Sequence, residues 1–90
     1  MTEYKQIIMR EIYEQTEEAI EDIKALRKIN CSYKHIIYNG LKLIRYISIN
    51  THVLINEAIE SEKIKNEDTT EIFDFTDRQI QNIYYELQII

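Results

Sequence analysis

The stretch Lys24-Ala-Leu-Arg-Lys-Ile-Asn-Cys-Ser-Tyr-Lys-His35 decides the topology of this chain. Asn30 is one of the few residues other than glycine that tolerates the left-handed position after a helix. Ser32, two residues on, is a favoured N-cap whose hydroxyl accepts from the first free amides of a new helix. One helix therefore ends near Ile29 and another starts at Tyr33. A connection as short as Asn30-Cys31-Ser32 forces the two to run antiparallel.

Working outward, Tyr4, Ile8, Ile12, Thr16, Ala19, Ile23 and Leu26 recur at steps of three or four. This spacing predicts a helix from Glu3 to about Ile29 with Thr2 as its N-cap. On the other side, Ile36, Ile37, Leu41, Ile44, Ile47, Leu54, Ile55, Ala58 and Ile59 keep the same period. They predict a second helix from Tyr33 towards Lys65. Its weak point is Ile47-Ser-Ile-Asn-Thr-His-Val53, rich in residues of low helix propensity. No Gly or Pro marks a turn there, so one unbroken helix is preferred to a break near Asn50. Gly40 costs about 1 kcal/mol inside a helix, which points to close contact with another backbone.

Asn66-Glu-Asp-Thr-Thr70 reads as the second turn, with Asp68 capping and Glu71 reciprocating. Thr76 and Gln79 repeat that pattern, so the last segment is either one helix or a short turn followed by a helix over 77–90. The fold class is all-α: an antiparallel hairpin of two long helices plus a third C-terminal helix. This is a three-helix bundle, or four helices if the second breaks near Asn50. Ninety residues, 44% hydrophobic, allow a single domain, residues 1–90, with a modest core.

The lone cysteine, Cys31, fits a reducing, cytoplasmic setting and is read as an incidental loop thiol. No segment reads as a signal peptide or membrane span. His35 and His52 have no Cys or Glu at ligand spacing, and no facing Glu-x-x-His pairs occur, so neither a metal nor a cofactor is expected. The acids Glu14, Glu17, Glu18 and Glu21 read as a solvated helix face.

Charge is strongly segregated. Residues 1–22 carry a net charge of −5, residues 23–56 carry +6 with no acid at all, and residues 57–90 carry −6. Folding the hairpin about Cys31 brings Glu21 near Lys42, Glu17 and Glu18 near Arg45, and Lys5 near Glu57. The tip is left over. Lys24, Arg27, Lys28, Lys34 and His35 face no acid in the hairpin, which predicts a positive knob. With its turn near Asp68, the third helix would reach back only to about Tyr46. Ile23, Leu26, Ile36, Ile37 and Leu41 would then lie bare, and bare apolar faces of that size mark contact surfaces.

The expected function is a protein–protein interaction module, a regulator or inhibitor working as a homodimer or on another protein. Such small helical chains of AT-rich composition are often carried by viruses or other mobile elements. Leu26, Ile29, Tyr33, Ile36, Ile37 and Tyr38 would make the contact, with Lys24, Arg27, Lys28 and Lys34 as a charged rim. The alternative is a nucleic-acid binder using the basic tip, although a chain of pI near 5.0 is unlike most such binders. No enzyme is expected.

One stretch does carry a catalytic likeness. Arg45-Tyr-Ile-Ser-Ile-Asn-Thr-His52 resembles the Arg-x(4–6)-His signature of HEPN ribonucleases. The resemblance implies that Arg45 and His52 meet across a dimer interface and cleave RNA, with His52 in acid–base work. That family often has a polar residue directly after the arginine, where this chain has Tyr46, and its bundle is usually longer.

Overall fold

The computed structural model describes residues 3–88. It contains three helices: α1 (Tyr4–Lys28), α2 (Tyr33–Glu60) and α3 (Asn66–Leu87). Thr2, read as a cap, lies outside the described residues, and Glu3 holds the N-cap position of α1. The three helices pack pairwise into one elongated bundle of 46 × 22 × 19 Å. Lys5 at the start of α1 meets Asp68 and Glu71 at the start of α3, and Arg27 at the end of α1 meets Glu86 at the end of α3, whereas Gly40 early in α2 meets Leu87 at the end of α3.

The first turn forms as its residue types dictate. Asn30 takes the left-handed conformation at φ 62°. The Cys31 and Asn30 amides donate back to the Leu26 and Arg27 carbonyls, the reciprocal pair of a Schellman ending. Ser32 Oγ then accepts from the His35 amide at 3.2 Å.

α2 is continuous through Asn50. Packing overrides the weak propensity of this segment, because Ile47, Thr51 and Ile55 fall on one buried stripe. α3 is also continuous. Thr76 does not start a new helix; its hydroxyl donates to the Ile72 carbonyl at 2.8 Å. Thr16 and Thr51 do the same to Ile12 and Ile47, at 2.9 and 2.8 Å. Each helix thus buries one threonine whose hydroxyl is satisfied within its own helix. The rest of the core is mostly isoleucine: Ile8, Ile12 and Ile23 from α1, Ile36, Ile44, Ile47 and Ile55 from α2, and Ile72, Ile83 and Leu87 from α3.

The second turn differs from the sequence expectation. α2 stops at Glu60, and Glu62 enters the left-handed region at φ 56°. The Lys63 and Glu62 amides close a second Schellman ending on Ala58 and Ile59. Ile64 drops into the core, and Asp68 accepts from the Lys65 amide at 3.0 Å instead of being the cap itself. The bend therefore centres near Lys63, about five residues earlier than expected, and α3 extends much further towards the hairpin tip.

That shift corrects the expected bare face. Leu87 is fully buried against Gly40, where a Cβ would overlap its isobutyl group. The close neighbour of Gly40 is thus a side chain of α3, not another backbone. Ile23 and Ile36 are buried and Leu26 and Ile37 half-buried, whereas Leu41 stays exposed as expected. The expected hairpin ion pairs do not form. Among the described residues, Lys5 reaches Glu71 at 2.8 Å, Glu3 at 3.5 Å and Asp68 at 3.7 Å, and Arg27 reaches Glu86 at 3.0 Å. No other pair among them lies within 4.0 Å.

Candidate protein-docking groove

Two of the residues expected on the tip surface are engaged inside the molecule. The C-terminal carbonyls of a helix have no partners within it and carry its negative dipole end. Arg27 supplies both donors and charge to that end of α3: one guanidinium nitrogen binds the Glu86 carboxylate and the other its main-chain carbonyl. Tyr33 donates its hydroxyl to the Leu87 carbonyl at 3.3 Å. Arg27 is therefore not a free rim charge, and the expectation of a tip with no acid opposite it fails there. The acid comes from α3, which reaches further than its sequence suggested.

The expected contact set divides accordingly. Ile36 is a core residue and is not available for contact. Tyr33 caps α3. Ile37 is half-buried, and Tyr38 stands exposed on the outer side of α2. Leu26 and Ile29 line a groove between α1 and α2, with Ile29 70% exposed. Lys24, Lys28 and Lys34 are exposed.

The groove lies on the side of the hairpin away from α3. One stretch of it, ≈ 420 Å³, runs between Ala25, Leu26 and Ile29 of α1 and Asn39, Lys42 and Leu43 of α2. The next, ≈ 460 Å³, continues between Gln15, Glu18 and Ala19 and the α2 residues Ile47, Ile49, Asn50 and Val53. Asp22, Leu43 and Tyr46 line both, so the two are one continuous furrow. Tyr46, Ile49 and Val53 are 56%, 51% and 45% exposed. Lys42, Tyr46, Ile49 and Val53 recur at steps of four, three and four, a second stripe on α2 beside its core stripe.

The two banks differ in charge. Glu18 and Asp22 stand on the α1 bank. Lys42 stands on the α2 bank, its ammonium 5.9 Å from the Tyr46 ring centroid. A second furrow, between α1 and α3, is lined by Ile7, Met9, Tyr13 and Phe75 among more polar neighbours.

Arg45 and His52 are both exposed and lie two turns apart on α2, about 10 Å along its axis. His52 rests beside Phe73 of α3, ring centroids 5.0 Å apart and planes tilted by 54°. It thus leans away from the α1–α2 groove. His35 pairs with Asn39 at 3.2 Å. Cys31 is a free, half-buried thiol. Among the described residues no group of three or more His, Cys, Asp or Glu could hold a metal ion, and no helix is long and apolar enough to cross a membrane.

Tyr46, Ile49 and Val53 are not among the contact residues that the sequence predicts. Their signal was present, since α2 carries apolar residues on more than one face, but only the placement of α3 shows which face stays uncovered. No family model, curated protein or solved structure matches the chain.

Proposed function

We propose that the chain works by protein–protein contact, presenting the α1–α2 groove to a helical surface of another polypeptide. The observation that supports this reading most is the exposed Tyr46–Ile49–Val53 stripe along a straight furrow between two antiparallel helices. A face of that form packs against a helical surface, which would bury the apolar stripe between helices of the two molecules. In this role the chain regulates or inhibits by occupying its partner's surface, and it needs no cofactor. The basic tip supports a nucleic-acid role less well. With Arg27 engaged by α3, only Lys24, Lys28 and Lys34 remain for phosphate contact.

The test is a photo-crosslinking side chain placed at Ile49 and, as a control, at Glu67 on α3. Adducts to protein from position 49 and not from position 67 are expected. Adducts to nucleic acid, or equal adducts from both positions, would overturn the reading.

A further inference from the structure

We infer that the occupant of this groove is a second copy of the chain, related by a two-fold axis parallel to the helices. The inference rests on the groove being a docking face and adds which molecule fills it.

The opposite signs of the two banks select this partner. Asp22 and Lys42 line the same stretch of groove from opposite sides. A two-fold axis along the furrow sets α1 of one copy against α2 of the other and leaves heights unchanged. Asp22 then meets Lys42 of the second copy, Glu18 lies one turn away, and the same contacts recur by symmetry on the other side. All four helices around the interface become antiparallel to their neighbours, which also favours their dipoles. The other face-to-face two-fold, with its axis across the furrow, opposes the acidic bank to itself and the basic bank to itself. Charge therefore rejects it.

The area is sufficient. A face about 37 Å long and about 20 Å wide, from the length of a 25-residue helix and two helix diameters, covers about 700 Å² per copy. Counting both copies, that reaches the range of specific, stable interfaces. Tyr46, Ile49 and Val53 would form its apolar centre, a large aromatic flanked by aliphatic residues.

Light scattering over a dilution series tests the inference. The wild-type chain should give a mass near twice 10.9 kDa. Ile49→Glu, at a half-exposed position that leaves the fold intact, should weaken the dimer by about tenfold or more. Asp22→Lys alone and Lys42→Asp alone should each be monomeric, since each opposes like charges. Mixing the two should give a heterodimer, because every opposed pair is then of opposite sign. A wild-type monomer at every concentration, or single variants that dimerise like the wild type, would overturn it. The crosslinker at Ile49 separates the two readings: adducts to another protein from a monomeric chain sink the second copy and leave the docking face standing, whereas no protein adduct ends both.

Discussion

The two ends of the bundle are fastened in different ways. At one end Lys5 reaches three carboxylates on flexible side chains at the surface, and Lys63 lies 4.8 Å from the Tyr4 ring centroid. At the other, Leu87 is buried against the bare backbone of Gly40, and Arg27 and Tyr33 hold the carbonyls that end α3. The first is charge attraction screened by water, which tolerates many geometries. The second is a steric fit with directional hydrogen bonds, which tolerates one. Register between the helices is therefore set at the Gly40 end, and the Lys5 end adapts to it.

The difference can be broken most sharply at Leu87. Leu87→Ala should cost about 2–5 kcal/mol in urea unfolding, as for other fully buried leucines. Gly40→Ala should destabilise the wild type by about 1–2 kcal/mol, overpacking outweighing the gain in helix propensity. In the Leu87→Ala background the same substitution should stabilise by about 1 kcal/mol, because the overlapping group is gone. A cycle in which Gly40→Ala has one sign in both backgrounds would show that the two residues do not set the register together.

Arg27→Met comes next, with a loss of about 1–2 kcal/mol in the same measurement from the charge-assisted hydrogen bonds to Glu86. Glu62→Gly should raise stability by up to about 1 kcal/mol, since a left-handed position penalises any residue with a Cβ.

Lys5→Met should have the smallest effect. Its hydrogen bond to Glu71 raises the Lys5 ammonium well above its ordinary value; desolvation opposes that rise, and the charges of Glu71 and Glu3 add to it. A raised lysine contributes fully below its unfolded value, near 10.4, and loses that contribution only as pH climbs through the folded value. The difference in melting temperature between Lys5→Met and wild type should therefore stay constant from neutral pH to about pH 10. A difference that fades below that point would show that another group titrates in its place.

The two turns show where sequence was enough to place structure. Asn30 and Ser32 announce the first, because each residue type has a local reason to be there. Glu62 has no such reason. It is held in a left-handed conformation by the entry of Ile64 into the core two residues later, and that is a tertiary effect. Misplacing the bend by about five residues shortened α3, which made Ile36 look bare and Arg27 look free. The helical periods were legible, as was the continuity of α2, whose β-branched run is redeemed by burial. The groove was only half legible: Leu26 and Ile29 could be named from the hairpin, whereas Tyr46, Ile49 and Val53 required knowing which side α3 leaves uncovered.

With three helices joined by short turns, α1 begins at one end of the 46 Å bundle and α3 finishes at the other. Chain entering at Tyr4 and chain leaving at Leu87 therefore do so at opposite poles. Two reporters attached there would be held apart by a stiff strut of nearly fixed length. Pairing through the α1–α2 groove about a parallel axis would preserve that polarity, placing both leading ends at one pole and both trailing ends at the other. A molecule built in this way can act as a directional spacer.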